Sequence, residues 1–95
     1  MSLDGYLLSI DQGTTSSRAL ILDIKGNILS QKNFEFKQYF PNDGWVEHDP
    51  IEILKTTQDA INFVIKEANI SPKDISSAGI TNQRETVVAW NKITG

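Results

Sequence analysis

Asp11-Gln12-Gly13-Thr14-Thr15-Ser16-Ser17-Arg18 brings a carboxylate, a glycine, a run of hydroxyls and an arginine together directly behind the short apolar stretch 6–10. These are groups that can hold a polyphosphate. A turn at Gly13 that takes backbone angles closed to other residues aims its N–H groups at one point, and the hydroxyls of Thr14, Thr15 and Ser16 add donors. Asp11 suits a hydrated magnesium ion, which takes few protein ligands and keeps most of its water. The same composition also suits a plain hairpin turn that binds nothing. A second pair, Arg84-Glu85, sets a donor-only side chain beside an acceptor-only one. Such a pair can grip two adjacent hydroxyls of a neutral polyol, although sequence neighbours of opposite charge also form simple surface salt bridges.

The elements around these residues read as a mixed α/β unit. Strands are expected over 6–10, 18–23 and 28–36, the last two joined by a turn at Ile24-Lys25-Gly26-Asn27. The glycine loop therefore opens a second strand, unlike the helix-opening loops of the two common nucleotide motifs, and neither G-x-x-x-x-G-K-[ST] nor G-x-G-x-x-G occurs. Residues 38–48, with Pro41, Asn42 and Gly44, read as irregular. Asp49-Pro50-Ile51-Glu52 is a helix start, with an N-cap, a first-turn proline and a glutamate placed to complete a capping box. Ile51, Leu54, Ile61, Ile65 and Ala68 follow at helical spacing, and Asn69 should end the helix. A turn at 71–74, a fourth strand of small residues over 76–81 and a fifth over 85–90 complete the chain. With the helix as a crossover, the fourth strand runs parallel to the first, giving the order 3-2-1-4. The loop after strand one and Arg84-Glu85 after strand four then share the carboxyl edge of the sheet, where open α/β sheets bind ligands.

Composition narrows the function classes. The 95 residues contain no cysteine and one histidine, so disulfides, thiolate metal sites and a conventional zinc site are excluded. A net charge of −3 with scattered basic residues argues against nucleic acid as the partner. The first apolar run stops at Asp11 and follows no basic leader, so neither a signal peptide nor a membrane insertion is expected and the location read from the chain is cytoplasmic. His48, Trp45 and Trp90 read as packing residues.

A phosphate loop on a β-hairpin resembles that of the actin, Hsp70 and sugar-kinase superfamily, the ribonuclease H-like ATPase fold. Three stretches in order, 11–18, Gly44-Trp45-Val46-Glu47-His48-Asp49-Pro50 and Gly79-Ile80-Thr81-Asn82-Gln83-Arg84-Glu85-Thr86, resemble the amino-terminal part of the FGGY carbohydrate kinases, and Asn82-Gln83-Arg84-Glu85 is similar to the glycerol kinase form. The resemblance runs from about Tyr6 to Gly95 and implies that residues 1–95 are the amino-terminal part of kinase domain I, with the rest of that domain and domain II beyond them. It further implies ATP-dependent phosphorylation of glycerol to glycerol 3-phosphate, with ATP or ADP and Mg2+ as cofactors and a parent that forms homodimers or homotetramers. On this resemblance Asp11 lies by the metal and the transferred phosphoryl group, Thr14, Thr15, Ser16 and Arg18 contact the nucleotide phosphates, and Arg84 and Glu85 bind glycerol. The base that takes the glycerol proton is then expected downstream, none of these 95 residues is catalytic in that sense, and the 95 residues alone are expected to be inactive. The rival expectation is a non-catalytic nucleotide-binding or interaction segment of an actin-like ATPase.

Overall fold

The computed structural model describes residues 5–82 and residue 93. Arg84, Glu85, Trp90 and the expected strand over 85–90 lie outside the described residues. Three long strands, β1 (Tyr6–Gln12), β2 (Ser16–Asp23) and β3 (Ile28–Glu35), are followed by two short ones, β4 (Gln38–Tyr39) and β5 (Glu47–His48), then α1 (Pro50–Glu67) and β6 (Ile75–Thr81). The main sheet has the order β3-β2-β1-β6, with β1 and β2 antiparallel, β2 and β3 antiparallel, and β6 parallel to β1. This is the order expected from sequence, with the fourth strand of that scheme now β6.

Alternation decides what each strand shows to the helix. Leu8 and Ile10 of β1 and Ser17, Ala19 and Ile21 of β2 are buried beneath α1, which contributes Ala60 and Val64 to the same core. Ala19 and Ala60 are both fully enclosed, and their small size lets helix and strand approach closely. Each larger aliphatic side chain buried there contributes about 1.5–3 kcal/mol. Ser30 of β3 donates to the Val64 carbonyl at 2.7 Å, so the buried hydroxyl at the β3 contact is satisfied.

Three expectations about these elements are corrected. Ile51 and Leu54 are exposed: at about 3.6 residues per turn Ile51 lies roughly opposite the Ala60 and Val64 stripe that meets the sheet, and Leu54 lies a little over a quarter turn to its side. The capping box does not close. Asp49 accepts the Ile51 N–H as a cap, but the Glu52 carboxylate instead accepts the N–H of Lys37 at 2.8 Å, tying the helix start to the chain leaving β3. The segment read as irregular contains a small antiparallel ladder, Gln38 opposite His48 and Tyr39 opposite Glu47. The small residues of β6 are not packed under a described element: α1 lies over β2 and β3 and only grazes β1, so Ile80, beside Ile10 in register, is 70% exposed.

Helix termination follows the sequence. Asn69 takes φ of 57°, the Ile70 N–H reaches the Ile65 carbonyl and the Asn69 N–H the Lys66 carbonyl, a Schellman ending that consumes the last helical acceptors. A 3-10 turn at Pro72–Asp74 then leads into β6, with the Asp74 carboxylate accepting the Ser71 N–H.

Candidate functional site

Sheet register builds the site. Asp11 pairs with Arg18, and Arg18 in turn with Asn33, so the three form one row across β1, β2 and β3. Their neighbours Ile10, Gln12, Ser17 and Ala19 belong to the helix side, so the row lies on the opposite face of the sheet. An open cleft of about 390 Å³ is lined there by Asp11, Gly13, Ser16, Arg18 and Asn33. The row carries both signs of charge, yet the single ion pair among the described residues is Lys55–Asp59. Asp11 and Arg18 are thus cross-strand neighbours that form no direct ion pair among the described residues.

Among the described residues Asp11 is held from one side only. The Thr81 hydroxyl, at the end of β6, donates to one of its carboxylate oxygens at 2.9 Å, so the carboxyl ends of β1 and β6 meet at this residue. No group of three or more potential metal ligands of the His, Cys, Asp or Glu type occurs among the described residues. A single carboxylate with an unengaged oxygen fits a magnesium ion, whose shell is mostly water and phosphate oxygen. Arg18 is exposed and donates to the Gln31 side-chain carbonyl at 2.9 Å, which leaves most of its five donors open.

The loop itself differs from expectation in how its glycine works. Gly13 is not left-handed: the positive φ angles among the described glycines belong to Gly26 and Gly44. A side chain at 13 is instead opposed by space, since a Cβ there would lie 3.3 Å from the Ser16 carbonyl oxygen. That carbonyl accepts the Gly13 N–H at 3.0 Å, and the Thr15 carbonyl accepts the Phe36 N–H at 3.1 Å, so both ends of the loop are tied. The N–H groups of Thr14 and Thr15 have no partner among the described residues and stand exposed at the tip. Ser16 faces the cleft, whereas Thr14 and Thr15 do not line it.

Beneath the row, the helix side is closed by hydroxyls. Gln12 Oε1 accepts from Thr57 at 2.6 Å and from Ser17 at 3.1 Å, and the fully buried Ser17 lies 2.9 Å from the Thr56 hydroxyl. Gln12 Nε2 is buried without a partner among the described residues.

Asn33, Gln31, Thr81 and Thr57 all take part in this arrangement, although none stands out in the sequence. For Asn33 and Gln31 a signal existed, because period-two alternation along 28–35 puts them on the face of Arg18; Thr81 and Thr57 needed the sheet register and the helix placement. His48 stands away from the cleft, with its ring edge-on to Phe36 at 5.1 Å, as suits a packing residue. Trp45 does not: it is 57% exposed at the turn between β4 and β5, where no described element covers it.

The family model for the N-terminal domain of the FGGY family of carbohydrate kinases matches residues 6–95. Over 90 residues the chain is 56% identical to glycerol kinase 2 of Thermotoga maritima, covering 95% of this chain and 18% of that one. A crystal structure of Plasmodium falciparum glycerol kinase with ADP superposes with a TM-score of 0.79 at 38% identity, covering 96% of this chain and 18% of the other. A gluconate kinase structure from Lactobacillus acidophilus, 24% identical with a TM-score of 0.74 over 83% of this chain and 15% of its own, shares the fold. The chain thus spans about a fifth of the length of the relatives it matches.

Proposed function

The chain belongs to the FGGY family of carbohydrate kinases, and from that premise we propose that its 95 residues open domain I of a glycerol kinase, which moves the γ-phosphoryl group of ATP to a glycerol hydroxyl. The observation that carries this reading is the Thr14 and Thr15 N–H groups at the carboxyl end of β1, without partners among the described residues and set in sequence between Asp11 and Arg18. The amides stand at the loop tip, and Ser16, Arg18 and Asp11 line the cleft beside the loop, so donors, a positive charge and a carboxylate all lie within one hairpin.

The residues then divide the work. Thr14, Thr15 and Ser16 donate to the phosphates of ATP or ADP, and Arg18 balances their charge. Asp11 orients the water shell of a magnesium ion, which when bound draws charge from the phosphate oxygens. Thr81 fixes the Asp11 rotamer. Arg84 and Glu85, which follow β6 in sequence, hold adjacent glycerol hydroxyls, and Arg84 also meets the phosphate of glycerol 3-phosphate. The proton of the attacking hydroxyl leaves to a base supplied beyond these residues, so a polypeptide of residues 1–95 alone should not turn over. Cytoplasmic action as a homodimer or homotetramer belongs to the same proposal. Among the described residues no helix is long and apolar enough to cross a membrane.

The test is ATP-dependent formation of glycerol 3-phosphate by the full-length enzyme, with Arg84→Ala and Glu85→Gln beside it. Each variant should weaken glycerol binding by roughly 1.5–3 kcal/mol, the worth of one charge-assisted hydrogen bond, with ATP affinity little changed. Glycerol affinity at the parent value in calorimetry returns the pair to a surface salt bridge.

A further inference from the structure

The polar cluster on the helix side of the hairpin has no part in the proposed ligand contacts, yet it is the best-connected group of side chains outside the cleft. Gln12 is the last residue of β1 and borders the loop 13–15, and its register partner Ser17 is the second residue of β2, one position beyond the loop. Both turn their side chains to α1, where Thr56 and Thr57 meet them. Thr57 lies 2.6 Å from Gln12 Oε1 and 3.1 Å from Ser17 Oγ, and Ser17 Oγ lies 3.1 Å from the same amide oxygen.

One assignment uses every hydroxyl proton once. Thr57 and Ser17 can donate to the two lone pairs of Gln12 Oε1 and Thr56 to Ser17, in competition with the Ile53 carbonyl, which lies 2.8 Å from the Thr57 hydroxyl and 3.0 Å from that of Thr56. Because Gln12 Nε2 has no partner among the described residues, the amide is held through its oxygen alone. A hydrocarbon filling of the same space would bury as much apolar area but would fix no direction. The hydroxyls do fix one. Strand alternation means that holding Gln12 toward the helix holds Asp11 toward the cleft, and the next peptide carries the Gly13 N–H that closes the loop on Ser16. A loop already in its binding shape loses less freedom when an anion arrives.

Resting on the kinase reading above, we propose that Thr57 of α1 is a positioning residue for the phosphate loop, acting through Gln12 and Ser17 on the far side of the sheet. Helix α1 thereby sets the geometry of a site that it does not touch.

The experiment compares Thr57→Val, which keeps the branched shape and loses the hydroxyl, with Thr57→Ser, which keeps the hydroxyl, in the full-length enzyme. Thr57→Val should lower kcat by about tenfold, the scale of one well-placed buried hydrogen bond, with KM for glycerol unchanged. Thr57→Ser should restore the parent kcat. Hydrogen exchange at the Gly13 amide should quicken in Thr57→Val and return to the parent rate in Thr57→Ser, while the amides of Leu8 and Ile21 keep their protection. Gln12→Met keeps the side-chain length and removes the acceptor, and should reproduce the valine phenotype if Thr57→Val does not fold. Parent kcat together with parent exchange in Thr57→Val overturns the proposal, as does an equal loss in the valine and serine variants. If the parent enzyme forms no glycerol 3-phosphate, the kinase reading falls instead, and Gly13 exchange alone decides: faster in Thr57→Val upholds the positioning, unchanged refutes it.

Discussion

Two hairpin turns of this sheet are built from similar residues and do opposite things. At one end, Asp23-Ile24-Lys25-Gly26-Asn27 joins β2 to β3; at the other, Asp11-Gln12-Gly13-Thr14-Thr15 joins β1 to β2. Asp23 satisfies itself: one carboxylate oxygen accepts the N–H groups of Lys25 and Asn27 and the other accepts the Asn27 side-chain amide, each at 2.9 Å. Among the described residues Asp11 accepts a single hydroxyl, from a strand distant in sequence, and two N–H groups of the loop after it have no partner. An aspartate and a glycine in a turn therefore say little until the acceptors are counted. The closed turn stores its donors in its own fold, and the open one leaves them for something else.

Removing the two aspartates separates the turns most sharply. If Asp11 has the proposed metal and phosphoryl contact, Asp11→Ala in the full-length enzyme should lower kcat on the order of 100-fold or more with glycerol affinity retained, because such a contact matters most in the transition state. Asp23→Ala should leave kcat at the parent value. Steady-state kinetics at saturating magnesium decides, and an Asp11→Ala enzyme within about threefold of the parent erases the distinction.

The glycines give a smaller contrast. Gly26 has φ of 88° with open space around its Cα, so Gly26→Ala should cost about 1–2 kcal/mol of stability from backbone strain alone, with kcat unchanged. Gly13→Ala meets no such strain but crowds the Ser16 carbonyl, so its loss should fall on nucleotide binding more than on the melting temperature. Calorimetric melts paired with ADP titration would show whether the two effects divide this way; a common loss of stability would mean that both turns are structural.

The smallest effect is a pH dependence. Asp23 is held below its ordinary carboxylate pKa of 3.8, chiefly by the Asn27 side-chain hydrogen bond and then by the backbone N–H groups of Asn27 and Lys25. Its ionised form is thus favoured in the folded chain, so its contribution is present above the unfolded pKa and is lost as pH falls through the lower folded value. Thermal unfolding should show a slight excess stability of the parent over Asp23→Asn at neutral pH that closes in acid below about 3.8. An excess that is constant with pH would assign the turn's stability to hydrogen bonding without charge.

Much of the architecture was legible in the residues themselves. Alternating apolar positions set the strands, Asp49-Pro50 set the helix start, Asn69 its end, and the crossover rule set β6 parallel to β1. The placement of Asp11 at a carboxyl edge shared with the end of β6 followed from the same rule. These are consequences of backbone geometry over a few residues, or of chirality, and they do not depend on what lies across the molecule.

What the tertiary structure decided is partnership. Glu52 is well placed for its own N-cap but accepts the Lys37 N–H, because β3 ends beside the helix start. Ile51 and Leu54 fit the helical spacing but face outward, because the stripe of Ala60 and Val64 is the one that fits over Ala19 and Ile21. Gln12 and Ser17 stand inside the glycine-loop stretch 11–18 yet turn to the helix, and Asn33 enters the cleft from a strand with no motif at all. A side chain commits to whichever complementary group the packed fold brings within about 3 Å, and register between distant segments, which no local pattern encodes, determines which group that is.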